Sequence, residues 1–196
     1  MDSDGDILRR SVAETEAFGQ IFERHFDAVL AYARRRIGWS FGEEVASRVF
    51  VVAFERRASF DGRYASARPW LFGIATNLIR HHLRDERIHL AAIGRIPGDA
   101  DPTPVDDTDR LDAQRLAPLL TSALLELSED DRETFLLVAL GELTYEQTAL
   151  AIGIPIGTVR SRIHRARGLL REHIPQLQAI SVQTTDGETE PWTNSS

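Results

Sequence analysis

The sequence predicts an all-α fold: two small helical domains joined by a flexible acidic linker, the second carrying a helix-turn-helix. Three observations predict it. Apolar residues recur at helical spacing over two long blocks, and no stretch alternates in the manner of a strand. Between the blocks, residues 94–109 hold three prolines and five aspartates and cannot build a core. Near the C-terminal end, two short helical patterns flank a glycine-containing turn.

The first block runs over 12–93. Phe18, Ile21, Phe22, Phe26, Val29, Leu30 and Ala33 follow the i, i+3, i+4, i+7 rule and predict one helix. Gly38 and Gly42 bracket a break. Val45, Val49, Val52 and Ala53 then share a stripe on a second helix. Residues 59–68 read as a loop, and Pro69 suits the first turn of a third helix with Trp70, Leu71 and Ile74 as core. The linker spans 94–110.

The second block, 111–177, resumes with Leu111, Leu116, Leu119, Leu120, Leu124 and Leu127. Ser128 is an N-cap for the next helix. Thr144 and Gln147 form a capping box, Gly153 stops the helix they start, and Pro155 sits where the following one begins. On a helical wheel Val159, Ile163, Ala166 and Leu170 fall on one buried face. Arg160, His164, Arg167 and Arg171 lie on one flank, Arg162 on the other, and Ser161, Arg165 and Gly168 point away from the core. Residues 178–196 are polar and read as a disordered tail.

Charge is distributed unevenly. The net charge is −7, which alone argues against nucleic acid. Yet all 23 basic residues are arginine, the side chain of bidentate phosphate and guanine contacts. Residues 156–173 hold five arginines against one glutamate, while 96–117 hold two arginines against six aspartates. Basic helices masked by acidic segments suit a nucleic-acid binder. There is no cysteine, so disulfides, thiol nucleophiles and Cys-ligated zinc are excluded. His82, His89 and Asp85 could share a helix face, but without a second carboxylate cluster they read as surface rather than as a metal site. No Gly-rich phosphate loop or Ser/His/Asp arrangement points to an enzyme. No apolar run nears the ~18 residues that span a bilayer, and the start is acidic and polar, so a cytoplasmic protein without membrane insertion is expected.

The stretch Leu143-Thr-Tyr-Glu-Gln-Thr-Ala through Ile154-Pro-Ile-Gly-Thr-Val-Arg-Ser-Arg-Ile-His-Arg-Ala-Arg167 resembles the C-terminal signature of the extracytoplasmic-function (ECF) sigma factors of bacterial RNA polymerase. Pro69-Trp-Leu-Phe-Gly-Ile-Ala-Thr-Asn-Leu78 and Phe18 to Arg36 resemble segments of that family's first domain, in the expected order. The resemblance implies an initiation factor with no catalytic group, cofactor or metal. Its first domain would bind the β′ clamp helices of core polymerase and the −10 element of promoter DNA. Its second would read the −35 element and touch the β flap. An anti-sigma factor would be a further partner.

By the same resemblance, Arg160, Ser161, His164 and Arg165 would read the −35 element, with Arg162 and Arg167 on phosphates. Phe60 and Tyr64 would stack at the −10 element, Asn77 would contact a base, and Arg80, His81 and Arg84 would face the backbone. The clamp-binding surface would include Glu44, Ser47, Arg48 and Phe50. Here the sequence departs from the family, because Ser47 and Arg48 replace its glutamine and second acid. That departure keeps open an alternative, a stand-alone helix-turn-helix regulator. The acidic linker could mimic a nucleic-acid strand or serve as a tether.

Overall fold

A computed structural model describes residues 2–61, 64–92 and 110–173. The expected linker, Arg110 apart, and the expected tail lie outside them. Eight α-helices and no strand are found among the described residues.

Helix α1, Asp4–Ser11, precedes the first predicted block. Ser3 and Asp6 close a capping box at its start, and Ile7 and Leu8 are buried. A 3₁₀ turn, Thr15–Phe18, leads into α2, Gly19–Ile37. Gly38, at φ 81°, ends α2 in the half of backbone space that favours glycine. Helix α3, Trp39–Arg56, folds back along α2. Gly42 is a contact residue rather than a break: a Cβ there would lie 2.7 Å from Arg34 Cα, so the two helices touch backbone to backbone. Helix α4, Arg68–Ala92, starts with Pro69 in its first turn, as read from the sequence.

The second block supplies α5, Arg110–Glu126, α6, Glu129–Ala139, α7, Tyr145–Ile152, and α8, Ile156–His173. Ser128 caps α6 by accepting from the Asp131 N–H. Ala123, Leu127, Val159, Ile163, Ala166 and Leu170 are buried. Each fully buried leucine or isoleucine contributes about 1.5–3 kcal/mol over its exposed state.

The two blocks pack against each other through α4 and α7. Leu137 and Leu143 of the second block are buried in the same apolar cluster as Tyr32, Phe72 and Ile79 of the first. Phe22, part of the apolar pattern of α2, is only partly covered. It stacks on Phe26 but stays 41% exposed.

Candidate nucleic-acid interface

The helix-turn-helix is assembled by local chemistry. Thr144 accepts a hydrogen bond from the Gln147 N–H, and the Gln147 side chain accepts one from the Thr144 N–H. Both satisfy backbone donors that a helix start leaves unpaired. Gly153 takes the left-handed conformation, φ 68° and ψ 36°, so the chain turns sharply between α7 and α8. Val159, Ile163, Ala166 and Leu170 are the buried face of α8, the same four residues that the wheel selected.

The remaining faces of α8 are not equivalent. On the side toward α6, Arg165 donates from Nε and Nη2 to both carboxylate oxygens of Asp131, at 3.0 and 2.6 Å. Arg162 donates to Asp130 at 2.6 Å and lies close to the Thr134 hydroxyl. The Asp131 carboxyl is held below the ordinary carboxylate range, foremost by the hydrogen bonds from Arg165. On the opposite side Arg160, His164 and Arg171 are exposed and Arg167 is half-buried, and none of them is held in a close ion pair among the described residues, although Arg160 lies near enough to Glu146 of α7 to help lower its pKa. Ser161 is exposed on the ridge, its hydroxyl donating to the Thr158 carbonyl. So α8 carries one edge ion-paired to α6 and one cationic edge without close ion pairs among the described residues. Such a helix offers a directional fit to a major groove, with the cations of the second edge available to phosphates and base edges.

A second surface forms where the 60s loop meets α4. Phe60, Tyr64, Trp70 and Asn77 line a cavity of about 340 Å³, within the range of small-ligand sites. The rings of Phe60 and Trp70 are 5.2 Å apart and tilted at 59°. Tyr64 and Asn77 are exposed, as are His81 and Arg84 further along α4. Aromatic faces beside an amide are suited to stacking and hydrogen-bonding an extruded base. The wall opposite the loop is built by Leu150 and Ala151 of α7. Arg80 is committed to Glu129 at 2.9 Å.

The third surface is on α3. Glu44, Ser47 and Arg48 are exposed, and Val51 continues their ridge one turn on. Phe50 lies beneath it, only 4% exposed, with the Phe22 ring 5.0 Å away. Phe22 and Val51 are therefore the apolar groups this face presents, and Phe50 supports them. The periodicity that placed Phe22 in the apolar pattern of its helix could not reveal this. It marks a stripe but not where the covering helix stops.

No cluster of three histidine or acidic side chains is placed to hold a metal among the described residues, and the side chain of His89 lies outside them. No described helix is long and apolar enough to cross a membrane.

Comparison with known proteins follows the same division. Residues 21–88 match the family model Sigma-70 region 2, and residues 118–170 match Sigma-70, region 4. The chain is 34% identical over 130 residues to the ECF RNA polymerase sigma factor SigC of Mycobacterium tuberculosis, a match covering 65% of this chain and 67% of that protein. It is 30% identical over 169 residues to the RNA polymerase sigma factor CarQ of Myxococcus xanthus, covering 83% and 92%. Among solved structures it is similar to the sigma factor RpoE of Bartonella quintana in complex with the anti-sigma factor NepR. That match has 25% identity, covers 81% of this chain and 96% of the other, and has a TM-score of 0.62.

Proposed function

The chain belongs to the extracytoplasmic-function family of RNA polymerase sigma factors and directs promoter recognition, and on that premise we propose which of its surfaces do the work. The edge of α8 away from α6, with Arg160, Ser161, His164 and Arg167, enters the major groove of the −35 element. Arg162 and Arg165 chiefly fasten α8 to α6. The loop–α4 cavity receives a base of the −10 element, with Asn77 as hydrogen-bonding group, Phe60 and Tyr64 as stacking groups, and His81 and Arg84 on the backbone. The α3 ridge of Glu44, Ser47 and Arg48, with Phe22 and Val51 beside it, docks on core polymerase.

The single observation that carries this reading is the asymmetry of α8. A merely solvated basic helix would have no reason to ion-pair one edge and leave the other without close pairs. The chain contributes no catalytic group and acts in the cytoplasm, where the polymerase is. An anti-sigma factor is a fitting regulator, since a related sigma factor was solved with one.

Run-off transcription tests the reading. Bacterial core polymerase, with and without the chain, is given a pool of genomic promoter fragments. A new, specific transcript is expected, and it also supplies the −10 and −35 sequences. Sequence-specific DNA binding by the chain alone, with no transcript and no polymerase binding, would favour the stand-alone regulator instead.

A further inference from the structure

Helix α1 stands outside the residues that match the region 2 family model, which begin at Ile21. A helix of eight residues is marginal on its own, so α1 is held by what it docks on. Its apolar pair, Ile7 and Leu8, enters the same cluster as Phe18 and Ile21. Its polar ends go elsewhere, to the loop that carries Phe60 and Tyr64.

Both ends of that loop are tied to α1. At the start of the helix the Asp4 N–H donates to the Ala65 carbonyl at 3.3 Å, and the Asp4 carboxylate accepts from the Ala67 N–H at 2.8 Å. At the end of the helix the Ser11 carbonyl accepts from Arg57 Nε at 3.1 Å. Helix termini leave such backbone groups unpaired, and here the loop supplies their partners. Arg57 is itself fixed: it donates to the Phe54 carbonyl at 2.6 Å, and its guanidinium lies 3.9 Å from the centre of the Phe54 ring. A second 3₁₀ turn, Arg57–Ser59, opens the loop, and α1 packs on it. The chain from Arg57 to Ala67 could reach about 35 Å if extended. The helix that joins its ends is only about 12 Å long, so the loop is folded back between two ties.

Asp4 also reaches a third element. Its side chain is 7% exposed, and the carboxylate accepts from His25 Nε2 at 2.7 Å and from Arg24 Nη1 at 2.9 Å, both on α2. An ionised carboxylate withdrawn from water needs such partners. Through them the exit of the loop is referred to a nineteen-residue helix and not to α1 alone. Between the ties, Phe60, Asp61, Tyr64 and Ser66 line the cavity that Asn77 also lines. A loop ordered before its ligand arrives avoids the ordering cost that would otherwise be subtracted from binding.

We infer that α1 is a splint for this loop, and that Asp4 is a positioning residue for −10 recognition, setting where Phe60 and Tyr64 stand relative to Asn77. The inference rests on the −10 assignment proposed above. Asp4 acts through the loop backbone and contacts no base.

The test uses full-length chain with core polymerase, in abortive initiation on a promoter found by run-off and on its −10 and −35 substituted forms. Asp4→Ala is expected to lower the preference for the native −10 bases about tenfold, the scale of one good base contact, and to leave the −35 response as in the parent. Arg57→Gln, at the other tie, should act in the same direction. Asp4→Asn keeps an acceptor for the Ala67 N–H and should keep most of the preference. Val49→Ala, a cavity at a fully buried position of α3, lowers stability without touching either tie, so it should lower the rate equally on every template or not at all. Hydrogen exchange of the free chain gives a second readout: residues 57–67 should exchange faster in Asp4→Ala while α2 keeps its protection. Unchanged exchange in that segment would overturn the splint. Faster exchange with an intact −10 preference, where Asn77→Ala abolishes that preference, would overturn the positioning role. An intact preference in Asn77→Ala as well would place the fault in the −10 assignment and remove the inference with it.

Discussion

Arg160 and Arg165 lie less than two turns apart on α8, yet their surroundings give them different work. Arg165 is spent on Asp131, whereas Arg160 is exposed and makes no close ion pair, only a longer-range contact with Glu146. Arg160→Ala is therefore expected to lower discrimination of −35 sequences about tenfold, the scale of one good base contact, while leaving thermal unfolding unchanged. Arg165→Ala and Asp131→Asn should each lower the melting temperature, and combining them should add little, because both remove one bond. Additive losses would separate the two residues. The sequence alone does not distinguish the two arginines. The wheel fixes direction on one helix but cannot say which edge a neighbouring helix covers, and Asp130 and Asp131 are, in the sequence, ordinary acids in the first turn after the Ser128 cap. Asp4 is a second case. Burial opposes its ionisation, but hydrogen bonds from His25 (2.7 Å), the Ala67 N–H (2.8 Å) and Arg24 (2.9 Å) outweigh that and drive its pKa well below the usual range. A depressed folded pKa gives stability that is fully present above the unfolded value near 3.9, begins to be lost as pH approaches that value, and goes on being lost as pH falls through the lower folded value. The melting temperature should thus fall as pH drops from about 5 toward 3, and fall less in Asp4→Asn. Identical pH profiles for the two proteins would remove Asp4 from the account.

Among the elements, those with strong local signals were legible in advance. The capping box of α7, the left-handed Gly153, the Ser128 cap and the buried stripe of α8 follow from spacing and residue type alone. Gly153→Ala should therefore destabilise the second block by about 1 kcal/mol, because only glycine takes φ 68° without cost. Thr144→Ala should cost about 1 kcal/mol through the lost cap. Thermal denaturation of each variant checks both, and no change in either would mean that tertiary packing alone sets the turn. Helix α1 was not legible. It has only eight residues, too few for a repeating stripe: Ile7 and Leu8 are its buried apolar pair, and its start is anchored by the buried Asp4. Residues 2–6 carry three aspartates and read as polar surface until the Arg24–His25–Ala67 cradle is known.

For the whole molecule, the sequence carries the family and the division into two helical blocks, because each block has its own periodicity. It does not carry their mutual packing. Arg36 and Glu133 are ordinary charges in a list of 23 arginines and 30 acids, and only the assembled structure pairs them in a joint. The account therefore stands on a division of labour: the edge of α8 away from α6 reads −35, and the loop–α4 cavity reads −10. The most direct measurement is abortive initiation by core polymerase with the parent chain, Arg160→Ala or Asn77→Ala, on a promoter found by run-off and on its single-base variants. Arg160→Ala should flatten the response to −35 substitutions alone, and Asn77→Ala the response to −10 substitutions alone. Uniform loss across all promoter variants, or the two effects exchanged, would contradict it.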